Sequence, residues 1–272
     1  METRGPTILW HIEVSHFSEK ARWALEHKAV PHERRTPLPS LHIPLAAWLT
    51  RGRAVTLPIL ELEGVRTADS SAIIAALEQR FPDPPLYPAD DALRRRALEL
   101  ADWFDRELGP HSRRLVFHEL NRDPERLAQI AARAAPGLVA RLGRATVPYS
   151  RAFTALRYGA GSRRAAEHAR AKILAAMARL EAELGDEQYL VGGRFTVADL
   201  TAASLFYPLV RPPEAPAVVD AMPEPFERFR ATLEGRPGYA WVRETFRRHR
   251  RARAPVAADA HEQGAVGAIS RA

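Results

Sequence analysis

The stretch EVSHFSEKARWALEHKAV, residues 13–30, decides how the N-terminal part of the chain is interpreted. Its apolar and small residues recur with the period of one helix face: Phe17, Ala21, Ala24 and Leu25. Ser15 stands directly ahead of that helix, where a capping hydroxyl stabilises a helix by about 0.5–2 kcal/mol relative to alanine. The unpaired N–H groups of a first helical turn also favour a bound anion. On this stretch alone, Ser15 is predicted to be a helix cap.

The segments around this helix predict an α/β unit. Residues 7–12, TILWHI, form a β-prone run before it, and residues 56–62, TLPILEL, form another that Pro58 interrupts. Residues 64–81 then read as a turn, a short strand and a capped helix. Four prolines within residues 81–88, FPDPPLYP, cannot continue that helix. We therefore place a domain boundary there and predict an α/β domain over residues 1–87.

The remainder of the chain is predicted to be helical. From Asp90 to Leu184 the sequence favours two long helices, the first kinked or broken near Pro110 and the second ending at Gly185. Residues 121–165, between them, contain short helical runs that pattern alone does not assemble.

Further on, Thr196 and Asp199 have the spacing of a capping box, and two more helices follow, separated by the turn at Gly235 to Gly238. We predict an all-helical domain over residues 90–252. The small and polar residues 253–272 are predicted to be disordered.

Composition excludes several classes of protein. The chain has 272 residues and no cysteine, which rules out a disulfide scaffold, a thiolate zinc site and a cysteine nucleophile. Any thiol chemistry must therefore use the sulfur of a substrate, and no metal site is predicted. The N-terminus lacks the hydrophobic region of a signal peptide. The longest apolar stretch, residues 200–210, is shorter than the ~20 residues that span a bilayer. We expect a cytoplasmic protein without a membrane partner.

The net charge of +7 does not by itself indicate a nucleic-acid partner. Nucleic-acid binders concentrate basic residues on one face and place aromatic residues among them. The one dense basic cluster here is RETFRRHRRARA, residues 243–254. We interpret it as a solvated helix end and expect no nucleic acid to bind.

Four segments, in this order, resemble motifs of the cytosolic glutathione S-transferase family, in its serine-type, bacterial-like form. SHFSEKARWAL (15–25) is similar to the family's S/C-P-F-S/C-x-K-V-R segment, and TLPIL (56–60) to its V-P-x-L turn. ADSSAIIAALEQRFP (68–82) resembles E-S-x-A-I-x-x-Y-L, and GGRFTVADL (192–200) the capping-box helix of the second domain. The resemblance implies a thioredoxin-like N-terminal domain followed by a C-terminal helical bundle, with glutathione as co-substrate.

In this family the first serine of the motif addresses the glutathione sulfur, so the resemblance assigns that role to Ser15, with Ser18 as the second candidate. A free thiol has a pKa near 8.5, and lowering it below 7 requires roughly 2–3 kcal/mol. A helix N-terminus supplies about 0.3–1 kcal/mol. A hydroxyl that donates to the thiolate supplies about 1.5–3 kcal/mol. Together the two terms suffice.

The other expected contacts with glutathione also come from the resemblance. It implies that the Leu57–Pro58 bond is cis and that the Leu57 backbone pairs with the cysteinyl part of glutathione, although an X-Pro bond taken alone is usually trans. It also implies that Asp69 and Ser70 bind the γ-glutamyl end, whereas the residues alone are explained equally well as a helix cap. Asp69 replaces the usual glutamate.

A cation from the loop at 40–53 would bind the glycine carboxylate, with Arg53 as first choice and His42 as second, although either could be a solvated loop residue. Two residues depart from the family pattern. His16 replaces a proline next to Ser15, and Glu13 replaces another. A carboxylate at position 13 would oppose thiolate formation if it pointed toward the sulfur.

The resulting hypothesis is a homodimeric transferase that conjugates glutathione to a small hydrophobic electrophile and that could also reduce peroxides with glutathione. The alternative is a non-catalytic binding or interaction protein on the same fold, since fold alone does not secure activity. Residues 121–165 lie where the family builds part of its electrophile pocket, so the sequence does not identify the electrophile.

Overall fold

The computed structural model describes residues 6–37, 42–134, 138–216 and 222–250. The tail that the sequence predicts to be disordered, residues 253–272, lies outside these ranges.

The N-terminal part forms one mixed sheet with helices packed on it. Its elements are β1 (Ile8–Trp10), α1 (His16–His27), β2 (Glu33–Arg35), α2 (His42–Thr50), β3 (Ile59–Leu62), β4 (Val65–Ala68) and α3 (Ser70–Arg80). The strand order is β2-β1-β3-β4, with β1 parallel to β2 and antiparallel to β3. This thioredoxin-like domain confirms the predicted fold class.

Two elements of this domain were not predicted from the sequence. The strand β2 consists of Glu33, Arg34 and Arg35 at the edge of the sheet, so it has no apolar alternation to reveal it. The helix α2 carries Pro44 in its first turn, where a missing N–H does no harm, but proline-rich sequence there is typical of a loop. Both elements arise from tertiary packing rather than from a local pattern.

The remaining elements are all helical, as predicted. They are α4 (Asp91–Glu107), α5 (Gly109–Asn121), α6 (Pro124–Ala134), α7 (Leu138–Tyr158), α8 (Arg163–Leu184), α9 (Val197–Val210), α10 (Glu224–Glu234) and α11 (Pro237–His249). The predicted break near Pro110 is confirmed, because α4 ends at Glu107 and Pro110 lies in the first turn of α5. The predicted end at Gly185 is also confirmed, since this residue caps α8 with φ +51°. Residues 121–165, for which the sequence pattern predicts no arrangement of helices, contain α6 and α7.

The end of α11 is anchored to α1. Arg250 is buried, and its Nε donates to the equally buried Glu19 Oε1 at 2.6 Å. Trp23 Nε1 of α1 donates to the carbonyl of His249 at 3.1 Å. The basic cluster is therefore only partly the solvated helix end that the sequence suggested, because Arg250 turns inward to a buried carboxylate.

Candidate active site

The register of the sheet brings three predicted site segments to one end of the strands. Trp10 pairs with Ile59, and Ile59 pairs with Ala68. Trp10, Ile59 and Ala68 thus form a row across the sheet. Because both pairings are antiparallel, the next row consists of the residues that follow Trp10, precede Ile59 and follow Ala68. The loop before Ser15, the Leu57–Pro58 bond and the start of α3 therefore lie side by side. The Leu57–Pro58 bond is cis, as expected.

The loop between β1 and α1 is fixed by hydrogen bonds from its two sides. Arg22 of α1 donates to the carbonyls of Glu13 at 3.0 Å and Ile12 at 3.3 Å. Tyr207 of α9 donates its hydroxyl to the carbonyl of Val14 at 2.8 Å. These contacts join both domains to the backbone immediately before Ser15, so the position of Ser15 depends on how the domains pack.

Ser15 caps α1 and faces a cavity. Its backbone is extended, with φ −83° and ψ 123°, and its Oγ accepts the amide of Ser18 at 3.3 Å. In the described part of the chain, the amides of His16 and Phe17 have no hydrogen-bond acceptor. Free amides at a helix N-terminus favour a negatively charged ligand atom. The cap of α1 therefore leaves two amides available to a negatively charged ligand atom beside Ser15.

Ser18 is differently placed. Its side chain is fully buried, and its Oγ accepts the amide of Ile12 at 3.1 Å. It is not among the described residues that line the cavity. The two serines, three positions apart, therefore face different surroundings: Ser18 holds the loop from inside, whereas Ser15 borders open space.

The cavity lies between the two domains and has a volume of about 580 Å³. The N-terminal domain contributes Ser15, His16, His42 and Leu57 to its wall. The C-terminal domain contributes side chains of α5, α9 and α11, and its aromatic lining residues are Phe117, Tyr158, Tyr207 and Tyr239. A volume in this range accommodates a small organic ligand.

His16 is buried and neutral beside Ser15. Desolvation by burial, followed by the positive charge of Arg113, lowers the pKa of His16 to about 3. The carbonyl of Gly109 lies 3.0 Å from His16 Nε2 and can only accept, so this nitrogen carries the proton. His16 thus links the first turn of α1 to the first turn of α5 without adding a charge to the cavity.

Glu13, the other departure from the motif, does not face the cavity. It is not among the described lining residues, and its Oε2 lies 3.8 Å from His11 Nδ1. The repulsion that this carboxylate would exert on a thiolate beside Ser15 is therefore reduced by its orientation.

The predicted γ-glutamyl residues begin α3 next to Pro58. Asp69 is exposed and has φ +78°, a conformation that costs a residue other than glycine about 1–3 kcal/mol. Its Oδ1 accepts the amides of Ser71 and Ala72, so the capping uses one of its two oxygens. Ser70 is buried at the first position of the helix. Neither Asp69 nor Ser70 is among the described lining residues of the cavity.

The two candidates for the glycine carboxylate are placed differently. Arg53 is exposed, donates through Nε to the carbonyl of Thr50 at 3.1 Å and does not line the cavity in the described structure. His42 begins α2 and lines the cavity, with its ring 5.5 Å from that of Phe153. Desolvation, followed by the charge of Arg157, lowers its pKa. Only His42 shares a wall with Ser15.

The sequence alone did not indicate that Arg113 lines the cavity. Arg113, Val116, Phe117 and Leu120 of α5 all line the cavity, and their spacing is that of one helix face. The available signal was a charged residue, Arg113, on an otherwise apolar helix face. That signal indicates a ligand-binding residue only when the face is known to border a cavity.

Comparison with known proteins agrees with this architecture. The sequence model of the family named glutathione S-transferase, N-terminal domain, matches residues 9–85. The sequence model of the family named glutathione S-transferase, C-terminal domain, matches residues 140–239. Together these stretches make up more than half of the chain. The chain therefore belongs to the glutathione S-transferase family. No curated protein matches the sequence.

Solved structures share the fold at low sequence identity. Glutathione transferase GSTFuA3 from Phanerochaete chrysosporium is 20% identical with a TM-score of 0.62, over 91% of this chain and 98% of its own. A glutathione S-transferase of Methylobacterium radiotolerans, solved in complex with glutathione sulfonate, is 25% identical with a TM-score of 0.52, over 87% and 93%. The β-etherase LigF from Sphingobium is 20% identical with a TM-score of 0.56, over 90% and 100%.

In the described ranges, no helix is both long and apolar enough to cross a membrane.

Proposed function

We propose that this protein is a glutathione transferase in which Ser15 donates a hydrogen bond to the thiolate of bound glutathione for attack on a hydrophobic electrophile. The observation that carries the proposal is the position of Ser15 at the open start of α1, on the wall of a cavity with aromatic lining. Family membership and the glutathione sulfonate in the Methylobacterium relative support glutathione as the thiol.

The chemistry requires an ionised thiol, and two features at α1 favour it. They are the hydroxyl of Ser15 and the two free amides that follow it, whereas the neutral His16 contributes no charge. A hydroxyl bond to a charged atom and a helix N-terminus together supply the roughly 2–3 kcal/mol that a thiol pKa below 7 requires. The Ser15 proton stays on its oxygen, so Ser15 acts as a donor and not as a base.

We assign the rest of glutathione to the row of segments beside Ser15. The backbone of Leu57 would pair with the cysteinyl part, as an added strand pairs with a sheet edge. Asp69 and Ser70, beside Pro58, would bind the γ-glutamyl ammonium and carboxylate. His42, which shares the cavity wall with Ser15, takes precedence over Arg53 for the glycine carboxylate.

The test combines binding and turnover. Calorimetry with glutathione should show binding at millimolar concentration or below, and a Ser15→Ala variant should bind glutathione while losing about 10- to 100-fold in kcat/KM for conjugation, the equivalent of one charge-assisted hydrogen bond. Full conjugation activity in Ser15→Ala would remove Ser15 from the mechanism.

The same protein and its Ser15→Ala variant distinguish two further possibilities. Reduction of an organic hydroperoxide with glutathione would add peroxidase activity at this site: the thiolate would attack the peroxide oxygen, the O–O bond would break with release of the alcohol, and a second glutathione would convert the resulting sulfenic acid to the disulfide and water. Absence of glutathione binding would instead favour a non-catalytic interaction protein on this fold. By membership of the family we also expect a cytoplasmic homodimer, which light scattering on the purified protein would test.

A further inference from the structure

Arg113, on the cavity wall, carries a charge that no described residue neutralises. Its guanidinium lies 4.3 Å from the ring centre of Tyr158 and 5.5 Å from that of Phe17. Its Nε is buried without a hydrogen-bond partner, and among the described residues no carboxylate pairs with it. Desolvation lowers the pKa of Arg113, yet an arginine stays protonated.

Other cations on the cavity wall differ from Arg113 in this respect. Arg211 pairs with Glu227 at 2.5 Å, and Arg230 pairs with Glu234 at 2.7 Å. Arg243 is exposed to solvent. Cation–π contacts contribute roughly 0.5–2 kcal/mol, whereas they leave the five N–H donors of a guanidinium without acceptors. A half-buried cation whose Nε–H has no acceptor is matched by an anion with two oxygens, most closely a carboxylate.

We propose that Arg113 binds a carboxylate carried by the electrophile, so that the second substrate is an aromatic carboxylic acid with an electrophilic carbon. Aromatic rings of Phe117, Tyr158 and Tyr207 line the same cavity and suit the aromatic body of such a molecule. The inference rests on the proposed function, since it names the substrate class of that site.

In the reaction, the glutathione sulfur forms a bond to the electrophilic carbon, and the leaving group departs with the electrons of the bond that breaks. The thiol proton passes to solvent when the thiolate forms. The carboxylate takes no part in the bond changes, so Arg113 determines which electrophile is held and in which orientation.

The experiment compares ligands that differ only in charge. Calorimetry on the full-length protein measures 4-phenylbenzoate against the nearly isosteric 4-phenylbenzamide. We expect the wild type to bind the carboxylate about 10- to 100-fold more tightly. Arg113→Gln should lose this preference and Arg113→Lys should retain part of it. Arg122→Gln, which removes an exposed charge just after the end of α5, should keep it. Circular dichroism checks that each variant is folded.

A parallel assay measures kcat/KM for glutathione with 4-(chloromethyl)benzoate and 4-(chloromethyl)benzamide, in which chloride is the leaving group. Equal binding of both ligands by the wild type, or an unchanged preference in Arg113→Gln, would overturn the proposal and leave Arg113 as a packing partner of Tyr158. A preference that depends on Arg113 without any conjugation would support the anion site and reject the proposed transferase. Conjugation of the benzoate and benzamide chlorides at equal rates would support the proposed transferase and reject the anion site at Arg113.

Discussion

The helices α1 and α9 both begin with a hydroxyl cap. The start of α9 is enclosed by the protein, and we call it the closed start, whereas the start of α1 faces the cavity, and we call it the open start. At α9, Thr196 and Asp199 form a complete capping box inside the protein. Asp199 accepts the amides of Leu190 and Thr196 and the hydroxyl of Thr196, each at 2.8 Å. At α1, Ser15 accepts one amide at 3.3 Å and borders a cavity.

The difference shows how one sequence signal serves two purposes. A cap whose donors and acceptors are all satisfied within the protein contributes to stability alone. A cap that leaves amides free on a cavity wall can also bind an anion, because the same N–H groups remain available to a ligand. Mutations at the closed start should therefore act on folding, and mutations at the open start on chemistry.

The largest effect on stability is expected at the closed start. Asp199→Ala would leave three donors around it without an acceptor in a buried place, and we expect the free energy of unfolding to fall by about 2–4 kcal/mol. Urea denaturation measures this, with Thr196→Ser as the matched control, since serine retains the capping hydroxyl. A loss below about 1 kcal/mol would show that the box is not the main support of α9.

The next effect concerns the buried ring at the start of α1. Because the pKa of His16 is lowered to about 3, the unfolded chain takes up a proton below pH 6.5 and the native protein does not. Stability from this residue is therefore present above pH 6.5 and is lost as the pH falls, by about 2 kcal/mol between pH 7 and pH 5. His16→Gln should reduce the measured loss over that interval by this amount. An unchanged loss would mean that His16 titrates normally.

The two serines of the motif should separate stability from activity. Ser18→Ala leaves the partly buried amide of Ile12 unpaired, and we expect a loss of about 1–2 kcal/mol in the free energy of unfolding. Ser15→Ala removes a longer bond at a half-buried site, so its loss should be about 0.5–1 kcal/mol. Conjugation should follow the opposite order. Equal effects of both changes on both measurements would contradict the division between the serines.

The sequence predicted much of this architecture, because its signals are local. The caps at Ser15 and Thr196 and the break at Pro110 each depend on a few neighbouring residues. The edge strand β2 was missed because three charged residues show no apolar alternation. Which serine faces the cavity depends on contacts of Arg22 and Tyr207 with the preceding loop, and no local pattern contains those contacts. The role proposed for Arg113 depends on the cavity residues that face it, and these come from distant parts of the chain.

The proposed role of Ser15 depends most directly on the pKa of the thiol of bound glutathione, which is titrated through the ultraviolet absorbance of the thiolate. We expect a pKa at or below about 7 in the wild type, against about 8.5 for a free thiol. We expect this pKa to rise by about one unit or more in Ser15→Ala and not to rise in Ser18→Ala. A bound thiol that titrates near 8.5 in the wild type, or a lowered pKa that survives Ser15→Ala, would contradict the central claim that the open start of α1 ionises glutathione.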